Sequence, residues 1–474
     1  MRRAVCTVYL EELNMDYCAI ILAGGESRRM RSGKPKVMCE VLGEPMIGWV
    51  LDSVRDAGIP DEKVGVVVGA DDTVKRYIAG KGTYRTFTQP ERKGTGDAVR
   101  QAEEMLGEDG NVLVLCGDAP FVDGDTILAA LNEHTHTGND VTVVSAELED
   151  AAGYGRIIRG EDGSFEAIIE APDCTITQLQ IPEINSGVYW FRAQALKDAL
   201  PKLTTDNSAG EYLLTDTVAL IRRNGGKTGI FKAEDPDIVL GANDRAELLA
   251  LNITAKMAVI GKLLAEGVEF VSTDGIIIGK DVVIGQDTRI LPGTIISGKT
   301  VIGENCTIGP NTLIDNCRIG NSVVLNSVQA YDSRVCDRVK AGPFVQLRPG
   351  TVLHDGVKIG DFVEIKNSEI GMNTAVSHLT YVGDSDVGKG VNFGCGCVTA
   401  NYDGINKYRT KIGDHAFIGC NTNLIAPVEI GENATTAAGS TITKAVPPNS
   451  LAVERAQTKI IDNWEKNFRR KKKA

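Results

Sequence analysis

A six-residue repeat runs through the second half of the chain, from residue 278 to about residue 446. Each repeat begins with an aliphatic residue and a small residue, as in IGKDVV (278–283), IGQDTR (284–289), IGENCT (302–307) and IGPNTL (308–313), and again at Ile359-Gly360, Val387-Gly388, Ile412-Gly413, Ile418-Gly419 and Ile430-Gly431. A hexapeptide period is typical of a parallel β-helix, in which each hexapeptide forms one flat side and three form one coil. Because every coil covers the apolar positions of its neighbours, we expect the aliphatic residues to stack into one axial core.

The length and composition of the chain set limits on its organisation and partners. Its 474 residues exceed what one hydrophobic core usually holds, which predicts two or three domains. The formal net charge of −12 argues against general nucleic-acid binding but is compatible with local basic pockets for phosphates. Eleven cysteines without a CxxC pair indicate reduced cytosolic thiols. Cys395 and Cys397 are a weak candidate for a zinc pair, since adjacent sides of a repeat rarely converge four ligands.

The two termini suggest no export or membrane signal. Residues 1–15 lack the apolar core of a signal peptide, and Met15 precedes the first strand, so we interpret them as an N-terminal extension. No run reaches the ~18 apolar residues that span a membrane, which predicts a soluble cytoplasmic protein without a membrane partner. Residues 448–474 are predicted to form a helix, over 454–468, followed by the basic tail RRKKKA.

Residues 16–245 alternate apolar strand-like runs with helical patterns. This alternation predicts a Rossmann-like α/β domain with a mainly parallel sheet. The strand candidates are Cys18–Leu22, Val64–Val68, Val112–Leu115, Val141–Ser145 and Val188–Phe191. Residues 246–268 carry apolar positions at helical spacing and predict a linker helix. An all-β domain, the parallel β-helix of hexapeptide repeats, is expected over residues 269–447.

Two glycine-rich segments and one acidic residue follow strands of the α/β domain. LAGGESRRM (22–30) with KPK (34–36) follows the first strand, and QPERKGTGDA (89–98) opens a helix. Backbone N–H groups of such turns approach phosphates while Arg and Lys neutralise them, although a turn of this kind can also be a simple strand–helix connection. Asp118, in LCGDAP, lies at the strand end where ligands bind, and it either binds Mg²⁺ or caps the next turn.

The motifs so far and five that follow, AGYGRI, IIEAPD, EINSGVY, GEYLLTD and GANDR, occur in the order seen in sugar-nucleotide pyrophosphorylases. Joined to a left-handed β-helix, they resemble the bacterial bifunctional N-acetylglucosamine-1-phosphate uridyltransferase/glucosamine-1-phosphate N-acetyltransferase family. The resemblance covers roughly residues 17–460, and it alone implies the left hand of the coils. It also implies synthesis of UDP-N-acetylglucosamine, a cell-wall precursor, by a homotrimer whose acetyl-transfer site is shared between neighbouring β-helices.

For the first domain, the resemblance implies attack of a sugar 1-phosphate on the α-phosphorus of UTP, with Mg²⁺ assisting the departure of pyrophosphate. Arg29 and Lys36 would hold the triphosphate and the developing charge. The other implied contacts are Leu22, Ala23, Gly24 and Gly25 in the first loop, Gln89, Gly94 and Thr95 at the uracil, Gly155, Glu170 and Asn185 at the amino sugar, and Asp118 and Asn243 at Mg²⁺. Ser27, Asp97 and Ala171-Pro172 depart from the usual residues of the family, which bears on rate and affinity more than on reaction class.

A second set of polar residues accompanies the repeat. Arg348 and Lys366 lie on different turns, His378 follows, and the segment 392–404 breaks the period with Lys407 just beyond it. Loops that extend from one face of a solenoid often build its binding site. Taken singly, these residues are explained equally well as solvated or corner residues.

For the β-helix, the resemblance implies acetyl transfer from acetyl-CoA to the amine of glucosamine 1-phosphate. His378 would be the general base, since an imidazole can take a proton from an amine at neutral pH. The other implied contacts are Arg348, Lys366, Tyr381 and Lys407 for the sugar phosphate, Asn392 for the sugar, and Cys395, Asn401, Tyr402, Cys420, Ala438 and Arg455 for acetyl-CoA, with an oxyanion held by a backbone N–H near Cys395. Cys395 and Cys420 replace the usual Ala and Ser, which leaves cysteine acyl transfer as an alternative.

Two other classes of protein share this order of domains. One is a nucleotide-sugar enzyme whose β-helix serves only assembly, as in glucose-1-phosphate adenylyltransferase-like proteins. The other is a non-catalytic regulator that resembles translation-factor exchange subunits. The set around His378 argues against the first class, and Lys36 with Asp118 argues against the second. We therefore expect a bifunctional enzyme of small-molecule substrates, with Mg²⁺ and no nucleic-acid partner.

Overall fold

The computed structural model describes residues 17–25, 29–151 and 153–464. The predicted N-terminal extension, Ser27 and the basic tail lie outside the described residues. The chain divides into two compact units, Met1–Ala255 and Lys256–Ala474, and the division falls within the helix that we predicted as a linker.

The first unit contains strands and helices in alternation. Its strands are β1 (Tyr17–Ala23), β2 (Glu40–Val41), β3 (Glu44–Pro45), β4 (Val64–Val68), β5 (Arg85–Thr88), β6 (Asn111–Cys116), β7 (Val141–Glu147), β8 (Arg156–Arg159), β9 (Phe165–Ile169), β10 (Glu183–Arg192) and β11 (Thr228–Lys232). Its helices are α1 (Met46–Asp56), α2 (Asp72–Ala79), α3 (Thr95–Gln101), α4 (Gly124–Thr137), α5 (Ala193–Ala199), α6 (Thr215–Arg223) and α7 (Arg245–Ala265), the last of which continues into the second unit.

One mixed sheet forms the middle of the first unit. Its strands lie in the order β11-β7-β10-β6-β1-β4-β5, and β8 pairs with both β10 and β9. β10 runs antiparallel to β6 and β7, whereas the other pairs along this order are parallel. The predicted α/β domain with a mainly parallel sheet is thus confirmed. The reversal of β10 could not be predicted, because strand direction leaves no mark in an apolar run.

Helices cover both faces of this sheet, because successive side chains of its strands are buried on opposite faces. Ala19 and Ile21 of β1 pack in the layer that contains α1, α2 and α4. Cys18 and Ile20 point to the other layer, with α3, α5 and α6. Side chains of successive strand residues point to opposite faces, so a central strand such as β1 is apolar on both sides.

One face of helix α7 packs against protein. Leu251 and Ala255 are buried in the first unit, and Ile260 and Leu263 are buried in the core of the second. By length and composition alone, α7 is the one described helix that could cross a membrane, but core helices of other proteins meet the same criterion. Its buried side chains make it a weak candidate for a membrane span.

The second unit is a parallel β-helix with three sheets. The first sheet contains Glu269–Phe270, Arg289–Ile290, Thr307–Ile308, Val324–Leu325, Lys340–Ala341, Lys358–Asp361, Ala375–His378, Asn392–Phe393, Phe417–Ile418, Thr435–Thr436 and Leu451–Ala452. The second contains Ile277–Ile278, Ile295–Ser297, Leu313–Asp315, Val328–Tyr331, Val345–Leu347, Glu364–Lys366, Tyr381–Gly383, Val398–Ala400, Asn423–Ile425 and Thr441–Ile442. The third contains Val283–Ile284, Val301–Ile302, Arg318–Ile319, Arg334–Val335, Val352–Leu353, Glu369–Ile370, Ser385–Val387, Thr410–Ile412 and Val428–Ile430.

The aliphatic–glycine step of the repeat has a direct structural cause. The aliphatic residue points inward, as Ile359 does with 3% of its surface exposed, and joins one continuous axial core. The next residue turns the corner against the neighbouring coil. A Cβ on Gly360 would lie 2.0 Å from the carbonyl oxygen of Ser377, so a larger residue would force the coils apart.

One coil is longer than its neighbours. In the third sheet Glu369 pairs with Asp386, seventeen residues on, whereas Asp386 pairs with Lys411, twenty-five residues on. The additional residues leave the coil as a loop, which we call the excursion, between Ala400 and Thr410. Its two sides approach each other at an antiparallel bridge between Tyr402 and Lys407.

Residues 453–463 are not helical, in contrast to the first part of the helix predicted for residues 454–468. Residues 453–461 form an irregular segment, and Ile460 and Ile461 expose 81% and 51% of their surface. A short helix is marginal in water unless it packs an apolar face, and these side chains remain exposed. Residues 465–474 lie outside the described residues.

Candidate active sites

The first candidate site is a cavity of about 450 Å³ at the carboxyl ends of the neighbouring strands β1 and β6. In open α/β sheets this edge is where ligands bind. The cavity is lined by Leu22, Gly24, Gly25, Lys36, Val37, Gln89, Arg92, Gly94, Thr95, Ala98, Cys116, Asp118 and Glu211. It therefore brings together residues of both glycine-rich segments and Asp118, the acidic residue that follows them in the sequence.

Three residues predicted for the nucleotide and Mg²⁺ lie apart from the lining, namely Ala23, Arg29 and Asn243. Ala23 is 2% exposed and packs into the sheet core, so only its backbone can meet a ligand. Arg29 is exposed and is not among the described residues that line the cavity.

Lys36 lies between the two predicted metal ligands. Its ammonium group forms a salt bridge with Asp118 and donates a hydrogen bond to Oδ1 of Asn243 at 2.7 Å. The carboxylate and the amide oxygen therefore converge on one position, which a cation already occupies. Mg²⁺ usually binds one or two protein oxygens and completes its coordination with phosphate oxygens and water. The oxygens of Asp118 and Asn243 therefore fit that ion. Among the described residues, no group of three or more His, Cys, Asp or Glu side chains could hold a metal ion, and this includes the surroundings of Cys395 and Cys397.

Gln89 presents a fixed hydrogen-bonding edge to the cavity. It is 5% exposed, and its Nε2 donates to the carbonyl oxygen of Gly94 at 3.1 Å and to Oδ2 of Asp97 at 2.8 Å. Gly94 has a φ of +107°, and a Cβ there would lie 2.4 Å from the carbonyl oxygen of Tyr212, so only glycine fits. A restrained amide of this kind suits recognition of a nucleobase edge. Asp97 thus has a defined role in holding Gln89.

Arg92 and Cys116 also line this cavity, although neither was predicted for it. Nε of Arg92 donates to the carbonyl oxygen of Gly24 at 2.9 Å and so connects the two glycine-rich segments. A cation inside a glycine-rich loop was the signal that could have identified it. Burial raises the pKa of the Cys116 thiol to about 12, which keeps it protonated and unsuited to act as a nucleophile.

The residues predicted at the amino sugar form a neighbouring group. The backbone N–H of Asn185 donates to the carbonyl oxygen of Gly155 at 2.9 Å, and Nδ2 of Asn185 donates to the hydroxyl of Tyr189 at 2.6 Å. The hydroxyl of Thr215 donates to Oε1 of Glu170 at 3.1 Å. Burial is the main cause that raises the pKa of Glu170. A half-buried carboxylate beside a buried glycine can accept hydrogen bonds from sugar hydroxyls.

In the β-helix, four predicted residues form a single column at the corner between the first and second sheets. Backbone hydrogen bonds from Gly396 to His378, from Asn421 to Cys395 and from Gly439 to Cys420 place His378, Cys395, Cys420 and Ala438 in register on successive coils. His378, Cys420 and Ala438 are exposed, and Cys395 is half-buried. Within the described residues the imidazole of His378 makes no hydrogen bond. This column is an open surface along which an extended ligand could lie beside a free imidazole.

The other predicted residues gather at the opposite end of the second sheet. Nη1 of Arg348 donates to Oε1 of Glu364 at 2.8 Å, and Nζ of Lys366 lies 3.9 Å from Oδ2 of Asp384. The ammonium group of Lys407 lies beside that of Lys366 and is the main cause that lowers the pKa of Lys366. Cations that crowd one another in this way form a site for an anion such as a phosphate.

Tyr381 connects the two ends of this sheet. Its strand, Tyr381–Gly383, runs from the corner of His378 toward the lysines. A Cβ on Gly383 would lie 2.3 Å from the hydroxyl oxygen of Tyr381, so glycine is required for the ring to lie along the strand. The tyrosine hydroxyl is thereby directed toward the cationic end.

The remaining predicted residues lie around these two groups. Asn392 is exposed on the first sheet, where it pairs with Ala375 and Phe417. Asn401 is 8% exposed at the base of the excursion, and Tyr402 is 59% exposed and donates its hydroxyl to the carbonyl oxygen of Gly404 at 2.6 Å. Arg455 is exposed. It lies next to the column, because its Cδ is 4.0 Å from the position that a Cβ on Gly439 would occupy.

Two family models match the chain. The MobA-like NTP transferase domain matches residues 19–216, and the bacterial transferase hexapeptide (six repeats) matches residues 281–316 and 409–444. The coils of the second unit are accordingly those of a left-handed β-helix.

Full-length relatives carry both units. The bifunctional protein GlmU of Acetivibrio thermocellus is 45% identical over 447 residues, which cover 94% of this chain and 96% of that protein. The GlmU proteins of Clostridium acetobutylicum and Syntrophomonas wolfei are 42% and 43% identical, each over 94% of this chain and over 98% and 99% of their own length. The chain therefore belongs to the family of the bifunctional protein GlmU.

Proposed function

We propose that this chain is a bifunctional enzyme of UDP-N-acetylglucosamine synthesis. Its β-helix transfers the acetyl group of acetyl-CoA to the amine of glucosamine 1-phosphate. Its α/β unit then transfers a uridylyl group from UTP to N-acetylglucosamine 1-phosphate and releases pyrophosphate. The observation that carries the proposal is the presence in one chain of two groups of polar residues, on the two units that the GlmU relatives share over nearly their whole length.

In uridylyl transfer the protein positions the reactants and neutralises charge. The sugar phosphate is already an anion, so its oxygen attacks the α-phosphorus without a protein base. Lys36 and Arg29 neutralise the triphosphate, while Gln89 reads the uracil and Glu170 with Asn185 binds the amino sugar. Asp118 and Asn243 would hold Mg²⁺, which withdraws charge from the phosphate oxygens when bound. Water is displaced as the substrates fill the cavity beside these groups.

In acetyl transfer the nucleophile is the amine of the sugar. A nitrogen of the His378 imidazole takes the proton that the amine loses as its lone pair attacks the thioester carbon. The C–N bond forms, the C–S bond breaks, and the imidazolium returns its proton to the sulfur, so that coenzyme A leaves as its thiol. A backbone N–H near Cys395 stabilises the oxyanion, while Arg348, Lys366 and Lys407 hold the phosphate. Acetyl-CoA lies along the column of Cys395, Cys420 and Ala438.

The assembly and location of the enzyme belong to the same proposal. We infer a cytoplasmic homotrimer in which the acetyl-transfer site is shared between neighbouring β-helices. The two groups of predicted residues at opposite ends of one sheet support a shared site, since a neighbouring copy can complete either group. Sedimentation equilibrium tests the trimer, and a monomer that retains acetyl transfer would contradict it.

Purified protein incubated with glucosamine 1-phosphate, acetyl-CoA, UTP and Mg²⁺ tests the proposal. We expect UDP-N-acetylglucosamine and coenzyme A from the complete mixture. Omission of UTP should leave N-acetylglucosamine 1-phosphate, and omission of acetyl-CoA should leave neither product. Uridylyl transfer to supplied N-acetylglucosamine 1-phosphate without any acetyl transfer would indicate that the β-helix is only a scaffold. Absence of both reactions would indicate a non-catalytic regulator.

A further inference from the structure

Asp384 lies at the centre of the cationic end of the β-helix site, although no role was predicted for it. It follows the strand Tyr381–Gly383 and has a φ of +46°, a left-handed conformation that few residues other than Gly, Asn and Asp adopt. Its residue surface is only 5% exposed. A buried carboxylate in a strained conformation is costly and persists only where its surroundings hold it.

Both carboxylate oxygens of Asp384 are engaged. Oδ1 accepts a hydrogen bond from Nδ2 of Asn367 at 2.6 Å, and Oδ2 accepts one from Nδ2 of Asn401 and lies 3.9 Å from Nζ of Lys366. The backbone N–H of Asp384 donates to the carbonyl oxygen of Lys366 at 3.0 Å, and its carbonyl oxygen accepts from the N–H of Thr410, also at 3.0 Å. One residue thus connects the preceding coil with both ends of the excursion.

The charges around Asp384 explain why an acid lies beside a phosphate site. Lys366 faces Lys407 and Arg348, both of which lower its pKa, and only Asp384 opposes them. Burial raises the pKa of Asp384, but the two asparagine hydrogen bonds and the two lysines outweigh it, so this carboxyl stays ionised. Without that negative charge the crowded ammonium groups would repel one another until a substrate phosphate arrived, and one of them would lose its proton more easily.

We propose that Asp384 is a positioning residue for acetyl transfer, because it anchors Asn401 and balances the charge of two lysines that seat the phosphate of the substrate. This inference rests on the proposed function of the β-helix. It assigns Asp384 no contact with the reacting atoms. The carboxylate acts through Asn401, Lys366 and Lys407, which it holds in place before the substrate binds.

The substitution Asp384→Asn tests the charge at nearly constant shape. The KM for glucosamine 1-phosphate is measured for this variant and for the wild type between about pH 7 and pH 9, and the ratio of the two values removes the titration of the substrate itself. We expect the ratio to rise by about twofold or more from the lower to the higher pH, because Lys366 loses its proton more readily without Asp384. The kcat should change less than KM.

Asp386→Asn is the matched control. Asp386 is two residues away and also holds the excursion, through Nε of Arg409 at 3.1 Å, but its side chain is 46% exposed and is not among the charges that shift the pKa of Lys366. Its KM ratio to the wild type should not depend on pH. An equal pH dependence in both variants, or none in Asp384→Asn, would overturn the inference.

Two further measurements keep the outcomes distinct. If Asp384→Asn does not fold, the double variant D384N/K407Q distinguishes loss of charge balance from other causes. It removes one charge of each sign and should regain a Tm close to that of the wild type. No recovery would overturn the role of charge balance. Wild-type protein that releases no coenzyme A with glucosamine 1-phosphate would instead refute the proposed function.

Discussion

Asp118 shows at the scale of one residue how the uridylyl site depends on a balance of charge. Its carboxylate forms a salt bridge with Lys36, whose ammonium group also binds Asn243 at 2.7 Å. The substitution Asp118→Asn removes the only charge among the two predicted Mg²⁺ ligands. We expect uridylyl transfer to fall at least 100-fold, within the range for loss of a charged group that stabilises a transition state. Acetyl transfer by the same preparation is the control, and loss of both activities would contradict independent sites.

His134 makes the stability of the first unit dependent on pH. It is 1% exposed, Nδ1 lies 2.9 Å from the hydroxyl oxygen of Thr142, and Nε2 has no hydrogen-bond partner among the described residues. Burial lowers the pKa of His134 to about 4. Between about pH 6.5 and 4 the unfolded chain therefore binds a proton that the folded chain does not, so stability falls as the pH falls through this window. The shift corresponds to about 3 kcal/mol of unfolding free energy.

Replacing His134 by Asn should remove this acid-dependent loss. We expect the difference in unfolding free energy between about pH 7 and pH 4, measured in urea at each pH, to be smaller in His134→Asn by about 3 kcal/mol. His136 lies on the same helix but is exposed. The control variant His136→Asn should keep the acid dependence of the wild type, and a reversed result would contradict the assignment.

Among the elements, each short strand of the β-helix depends on one inward side chain. In Val301–Ile302 the isoleucine is 1% exposed in the axial core, whereas Val301 is 44% exposed on the outer surface. The substitution Ile302→Ala leaves a cavity between coils and should destabilise the β-helix by roughly 2–5 kcal/mol. Val301→Ala, its neighbour, should cost less than about 0.5 kcal/mol. Urea unfolding followed by circular dichroism distinguishes the two, and equal losses would contradict the inward–outward assignment.

The same elements show what could be predicted from the sequence. The repeat predicts the coils because each hexapeptide places one aliphatic residue inward whatever lies elsewhere in the chain. The corners are less predictable. Phe344, Phe362 and Leu379 adopt left-handed φ values of +57°, +58° and +45°, which bulky residues rarely do. The two phenylalanine rings stack at 5.2 Å while remaining mostly exposed, a contact between coils that only the folded register creates.

The candidate sites were predictable to a different extent. Gln89, Lys36 and Asp118 follow strands in recognisable motifs, so their convergence at one sheet edge is a consequence of parallel strands. Arg92 and Asp384 escaped notice because their importance lies in contacts with residues of other segments, Gly24 for the first and Asn367 and Asn401 for the second. Such contacts appear only when the segments are stacked in space.

In the whole molecule, the two proposed reactions lie on different units and share one intermediate, N-acetylglucosamine 1-phosphate. Within each unit the predicted residues contact one another, as Lys36 does Asp118 and Lys366 does Asp384. The uridylyl site therefore depends on the α/β unit, and the acetyl-transfer site depends on neighbouring β-helices. It follows that the intermediate can leave one molecule and react on another.

Mixing two variants, each of which lacks one of the two activities, tests whether the intermediate can pass between molecules. Asp118→Asn should acetylate glucosamine 1-phosphate but form no UDP-sugar, and His378→Ala should do the reverse with supplied N-acetylglucosamine 1-phosphate. Neither alone should convert glucosamine 1-phosphate into UDP-N-acetylglucosamine, whereas the mixture should do so after a lag in which the intermediate accumulates. The lag should shorten as the Asp118→Asn variant is increased, because that variant supplies the intermediate. If each variant keeps its single activity but the mixture forms no UDP-sugar, the intermediate does not leave the enzyme, and the two units are coupled by direct transfer.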